Sequence, residues 1–287
     1  VLIERSYYGW KELEYEYMRD YYGNSVSVAT MEGFDPLGVH TGEKIVVVPI
    51  QTLTNKEYHR LREAGLRIVD KLKIVGECNI QFGLNPENEE LIVIEVNPRL
   101  SRSSALASKA TGYPLAYLAA KLAIGYRIEE LTNKVTGVTK ASFEPALDYV
   151  VVKSPRWDFK KFPGNIDRTV GTMMKSVGEV MAIGRTFEEA LQKAVRMLQI
   201  GRVGVVGNDG EEDGVPSDLA EFLKPSDERL FNLVRALKSG VSVDEISRVT
   251  GIDKWFLYRI LNIIRVDSEL KYLSEEEDEE KIVEKIK

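Results

Sequence analysis

Two stretches of period-two alternation constrain this chain more than anything else in it. "ELEYEYMRD" and "SVSVATMEG" flank the Gly-Asn breaker of "YYGN", the pattern of an antiparallel hairpin. A second hairpin is written in "NIQFGLN" and "LIVIEVN", joined by "PENEE". A register that pairs Asn85 with Leu91 leaves residues 86–90 as the loop and sets Gln81 directly across from Glu95. Because side chains alternate faces along a strand, Glu95 and Asn97 then project from the same side as Gln81. These oxygen-bearing groups, followed by Arg99 and Arg102 in "ELIVIEVNPRLSRSS", are not what a plain core strand carries.

The rest of the chain supplies helices around these strands. After the loop "FDPLGVHTGE" comes a strand, "KIVVVPI", and then Thr54 is placed to cap a helix with Leu61, Ala64, Ile68, Val69 and Leu72 on one stripe. His59 falls off that stripe and reads as a surface residue. "SSALASKATG" is a short helix closed by Gly112, and "YPLAYLAAKLAIGY" a second, with Pro114 in its first turn and Gly125 at its end. Thr186 caps the amphipathic "FEEALQKAVRMLQI". Composition then shifts to Gly and Asp in "GRVGVVGNDGEEDGVPSD", which predicts a boundary near Ile200. Residues 201–287 read as helical, ending in the acidic "SEEEDEEKIVEKIK", expected to be a solvated or frayed helix.

With 287 residues, 44% of them hydrophobic, and a net charge of −6, the chain has material for one large domain or two ordinary ones. No apolar run approaches the roughly 18 to 20 residues a membrane span needs, and no leader is visible, which predicts a cytoplasmic protein without membrane contact. The single cysteine, Cys78, reads as a small buried hydrophobe. "VLIERSYYGW" opens directly in an apolar run, as if cut from a longer chain.

A carboxylate and two amide oxygens on one face of a hairpin suit a hard divalent cation such as Mg²⁺, which is commonly shared with phosphate. Arg99 and Arg102 add planar forks for two-point contact with an oxyanion. On spacing alone, a structural ion pair between Glu95 and one arginine, with the amides capping turns, explains the pattern equally well.

A resemblance separates these readings. "VIEVNPRLSRSSALASKATGYPLAYLAAKLAIGY" is similar to the signature of the carbamoyl-phosphate synthase large chain, a family of the ATP-grasp superfamily. The similarity runs through "GWKELEYEYMRD", "GFDPLGVHTGEKIVVVPIQTL", "CNIQFGLNP", "ASFEPALDYVVVKSPRW" and "MKSVGEVMAIGRT", over nearly all of residues 1–200, and more faintly through "SVDEISRVTGIDKWFLYRI". It resembles the first, carboxyphosphate-forming half of that duplicated chain more than the second. The resemblance implies an α+β fold: the C-terminal part of an ATP-grasp domain with a mostly antiparallel sheet over residues 1–200, then a small all-α oligomerisation domain, incomplete by family standards, over 201–287.

It also implies roles. Positions matching Gln81, Glu95 and Asn97 hold divalent ions, Mg²⁺ or Mn²⁺, that bridge ATP phosphates, with Gln81 and Glu95 counted among the nucleotide-binding residues too. Glu12 matches a ribose-binding acid, Arg5 and Tyr7 an adenine-side linker, and Gly38, Val39 and His40 a loop beside the nucleotide. Arg99 and Arg102 match bicarbonate-side catalytic arginines. K⁺ is a further ion the resemblance leaves open. The implied reaction is attack of bicarbonate on the γ-phosphorus of ATP to give carboxyphosphate, which ammonia converts towards carbamate and carbamoyl phosphate for arginine and pyrimidine biosynthesis. Implied partners are a glutaminase small chain, the remaining large-chain segments, and further copies in an oligomer. No Gly-rich phosphate loop precedes Val1, so the isolated chain is expected to turn over little or nothing.

Two other functions compete. "VDEISRVTGIDKWFLYRILNII" scans like a helix-turn-helix, but Phe256, Leu257, Ile260, Leu261 and Ile264 form a broad apolar face on an acidic chain, against nucleic-acid binding. The other is a helical binding or oligomerisation module carrying an inactive ATP-grasp remnant, with Trp255 and Phe256 as core or interface anchors.

Overall fold

The computed structural model describes residues 3–208, 214–275 and 283, with side chains described to residue 272 and at residue 283. The acidic segment 276–287 therefore lies, apart from Val283, outside the described residues.

The alternating stretches form strands as their pattern requires. β1 (Lys11–Arg19) and β2 (Ser25–Gly33) pair antiparallel, β3 (Val46–Val48) follows, and β4 (Gly76–Leu84) and β5 (Leu91–Asn97) make the second hairpin. With β6 (Val150–Arg156) and β7 (Gly178–Gly184) they build one seven-stranded sheet in the order β5-β4-β1-β2-β3-β6-β7. Every neighbouring pair is antiparallel.

The two faces of this sheet are covered differently. α1 (Asn55–Lys71) starts at Thr54, whose hydroxyl accepts from Glu57 N while Glu57 reaches back to the Thr54 amide. It seals one face by packing Leu61 and Val69 against Leu13, Tyr15, Tyr17, Ile80 and Phe82. The expected stripe needs one correction. Leu72 is the helix cap and 59% exposed, because the chain turns away there, and Gly65 takes an inward place instead. A Cβ on Gly65 would lie 2.1 Å from the Tyr17 hydroxyl oxygen, so the helix approaches the ring only because the side chain is missing.

On the opposite face, α2 (Arg102–Thr111) and α3 (Leu115–Ala123) cover Met18, Ala29 and Met31 and leave the neighbouring part of the face open. Gly112 ends α2 in the left-handed conformation, φ 66°, donating its N–H to Ser108 O. Cys78 is free and buried, and burial pushes its thiol up to about 12, consistent with an inert core position.

α4 (Phe187–Met197) lies on β6 and β7, and α5 (Leu219–Phe222), α6 (Arg229–Lys238), α7 (Val243–Thr250) and α8 (Lys254–Glu275) gather beside it. One apolar cluster runs through Phe34, Val47, Val152, Phe187, Leu191, Leu233, Ile246, Phe256 and Ile260, so the helices beyond residue 200 share a core with the sheet. The apolar face of α8 is turned inward: Phe256 lies 5.3 Å from both Phe34 and Phe187, ring centre to ring centre. Trp255 is half-buried against Phe187 at 5.6 Å. Ion pairs Lys11–Asp253, at 2.6 Å, and Arg229–Asp35, at 2.5 Å, close the seam.

Candidate nucleotide and oxyanion cleft

The open part of the sheet face is the floor of a cleft of about 920 Å³. Its lining includes Glu12, Val39, His40, Gln81, Glu95, Asn97, Arg99 and Arg102, so the structure brings together most of the residues singled out from sequence.

Gln81 does stand across from Glu95, and Asn79 across from Asn97, but not by the expected register. At the turn Leu84, not Asn85, pairs with Leu91, while Asn85 N donates to Glu90 O. A register that began this way and ran straight would put the carboxylate off Gln81 and on the wrong face. A bulge after Gln81 adds one residue to β5 and restores the pair. The expected register was wrong at the turn, and the bulge supplies the pairing it was invoked to explain.

Glu95 makes no ion pair among the described residues; its Oε1 accepts from Asn97 Nδ2 at 2.8 Å, and Asn97 Oδ1 accepts from Arg99 at 3.3 Å. Neither Arg99 nor Arg102 has a carboxylate partner among the described residues. The Arg102 guanidinium contacts the Met174 sulfur at 3.0 Å. The alternative of a Glu95–arginine ion pair is therefore not what the chain forms. Two guanidinium groups that form no ion pair among the described residues, beside a carboxylate and two amides, make a site with spare capacity for an anion and a cation at once. Gln81, Glu95 and Asn97 fit a divalent ion by donor type: each carries a hard side-chain oxygen, and all three line the cleft. Among the described residues no group of three or more His, Cys, Asp or Glu side chains is placed to hold a metal ion.

Other predicted residues fall differently. Glu12 is buried, one carboxylate oxygen taken by the Thr41 hydroxyl and the other by the Lys44 ammonium. His40 caps the turn Thr41–Glu43 by accepting from Gly42 N at 2.9 Å on Nδ1. Gly38 has φ +119° and lies against the Tyr8 ring, behind the cleft wall. Arg5 and Tyr7 are not brought to the cleft: the Arg5 guanidinium stands 5.2 Å from the Tyr7 ring centre and 3.7 Å from Glu90.

The structure adds residues that sequence reading missed. Glu14 lines the floor between Glu12 and Glu16. Burial, then repulsion from Glu12 and Glu16, pushes its carboxyl up to about 7, although Asn79 donates to it at 3.1 Å. Lys153 also lines the cleft, donating to Thr41 O at 3.2 Å, with its pKa lowered by burial. The alternation Glu12-Glu14-Glu16 was a legible signal for Glu14. Lys153 lies in a buried strand of an ordinary apolar run and gave none.

The sheet is antiparallel throughout, with one face partly open as the floor of the cleft, an arrangement in keeping with an ATP-grasp fold. Among solved structures, pyruvate carboxylase from Rhizobium etli matches 68% of this chain and 22% of its own at a TM-score of 0.51 and 16% identity. A second structure of that enzyme matches 65% and 21% at 0.50 and 15% identity. At such identity the match shows the fold alone. Sequence comparison is more specific: residues 1–131 match the carbamoyl-phosphate synthase L chain ATP-binding domain, and residues 179–287 the large-chain oligomerisation domain. The N-terminal section of the large chain from Methanopyrus kandleri is 58% identical over 94% of this chain and 48% of its own length. The large chain from Pyrococcus furiosus is 53% identical over 94% and 26%. The chain belongs to the carbamoyl-phosphate synthase large-chain family and spans about half or less of these relatives' length. Among the described residues no helix is long and apolar enough to cross a membrane.

Proposed function

We propose that this chain provides the metal-binding and bicarbonate-facing side of a carboxyphosphate-forming site. The observation that carries this is the bulge-corrected register, which puts Gln81 and Glu95 opposite each other and Asn97 beside them, with Arg99 and Arg102 in the same lining. Gln81, Glu95 and Asn97 would hold Mg²⁺ or Mn²⁺, which supplies charge neutralisation at the nucleotide phosphates. Arg99 and Arg102 hold a planar oxyanion such as bicarbonate by two-point contact and keep it in line with the γ-phosphate. His40 and Val39 form the wall on the nucleotide side. Arg5, Tyr7 and Gly38, which stand outside the lining, would act only through backbone and rim contacts.

On this reading ammonia attacks the resulting carboxyphosphate, other large-chain segments complete the enclosure, and a glutaminase chain supplies ammonia in the cytoplasm for arginine and pyrimidine precursors. Residues 201–287 serve self-association. Isothermal titration with Mg²⁺·ATP tests the core of the reading. Binding is expected, weakened at least about tenfold in Glu95→Ala. Equal affinity in the two proteins, or no binding by either, would overturn it.

A further inference from the structure

Lys44 stands directly behind the cleft residue Glu12: it is 0% exposed, and its ammonium donates to the Glu12 carboxylate and, at 2.8 Å, to Pro36 O. The room for it is built. A Cβ on Gly33 would come within 3.1 Å of Lys44 Cδ, so the glycine makes space for the stem. The other Glu12 oxygen is held by Thr41, the residue after His40. A carboxylate oxygen and a backbone carbonyl are hard oxygen donors of the kind a monovalent cation takes, and an ammonium and K⁺ are close in size.

We propose that the Lys44 ammonium is a tethered monovalent cation, occupying the oxygen cage at Glu12 so that no dissociable K⁺ is needed to hold the loop carrying Val39 and His40. A K⁺ requirement at Glu12 does not fit these residues. The functional consequence rests on reading that loop as the nucleotide side of the cleft; the cage itself does not.

Lys44→Ser empties the cage and adds a hydroxyl oxygen to it, whereas Lys44→Met refills it with an apolar chain. Melting temperatures are compared in KCl, NH₄Cl and tetramethylammonium chloride at about 0.1 M, where general screening is equal. The wild type is expected to melt within about 1 °C in all three. Lys44→Ser should melt about 8 °C lower in tetramethylammonium and recover at least half of that in K⁺ or NH₄⁺, while Lys44→Met recovers nothing. If Lys44→Ser folds only when K⁺ or NH₄⁺ is present, that supports the proposal equally. A K⁺-specific rise in wild-type melting, or a Lys44→Ser protein indifferent to the cation, overturns it. Wild-type affinity for Mg²⁺·ATP should agree within about twofold in KCl and tetramethylammonium chloride. Failure to bind nucleotide at all would count against the functional reading and leave the melting comparison intact.

Discussion

Leu13, Tyr15 and Tyr17 leave β1 on one face and are sealed beneath α1, whereas Glu12, Glu14 and Glu16 leave the same strand on the other face and lie at or under the cleft. All six are buried. On the first face burial is favourable, at about 25 cal/mol per Å² of apolar surface, and even the tyrosine hydroxyls find carbonyls of α1. On the second it removes carboxylates from water. The hydrogen bonds of Asn79 to Glu14 and Glu16, and of Lys44 and Thr41 to Glu12, offset only part of that cost. Glu16 Oε2 and Glu77 Oε2 stay buried without a hydrogen-bond partner, and burial with the Glu16 contact pushes Glu77 up to about 10. One face holds the fold together; the other is held in place by it.

Substitutions can break that contrast. The largest effect is expected on the apolar face: Phe82→Ala should cost about 4 kcal/mol in urea unfolding, since Phe82 is fully buried against Tyr15. A loss below about 1 kcal/mol would mean the face is not the stabilising one.

Glu14→Gln should act in the opposite direction and with pH. The folded carboxyl titrates near 7 and the unfolded one near 4.5, so the folded state holds the extra proton between those values. Stability therefore falls as pH rises through that window and levels off above it. The substitution should add about 3 kcal/mol at about pH 8 and little at about pH 4, read from unfolding curves at both. An equal effect at the two pH values would show that the carboxyl is not charged at a cost.

Gly65→Ala gains helix propensity, about 1 kcal/mol, but drives a methyl into Tyr17. Overpacking of about 1–3 kcal/mol should leave it less stable by about 1–2 kcal/mol, and a Tyr17→Phe background should restore little, because the ring carbons Cζ and Cε2 stay within 2.2 and 2.5 Å of the added Cβ. The smallest effect on stability belongs to the rim. Glu95→Gln, at an exposed site, should change unfolding by less than about 0.5 kcal/mol while still weakening Mg²⁺·ATP. Destabilisation beyond about 1 kcal/mol would recast Glu95 as structural.

Much of this contrast was legible beforehand. Period-two alternation placed β1, β2, β4 and β5, and the same alternation put Glu95 and Asn97 on one side, while Gln81 joins them only through the bulge. Thr54, Thr186 and Gly112 marked helix ends by their local hydrogen-bonding and φ requirements, and each serves there. The bulge in β5 was not legible, because no residue type in "LIVIEVN" demands one; it is set by where the turn closes at one end and where α2 begins at the other. Leu72 falls off the expected stripe for a related reason: helical spacing tells which residues share a stripe but not where the strand surface beneath it ends.

What the amino-acid order determined alone is therefore whatever depends on near neighbours: strand faces, helix caps, the apolar stripes, and a family signature dense enough to read by eye. Only the tertiary structure decided that Lys44 reaches Glu12, that Lys153 reaches Thr41, and that Arg102 contacts the Met174 sulfur. Those outcomes turn on which long side chains from distant strands converge and on how much water remains between them, and a charge's partner is set by distance in space.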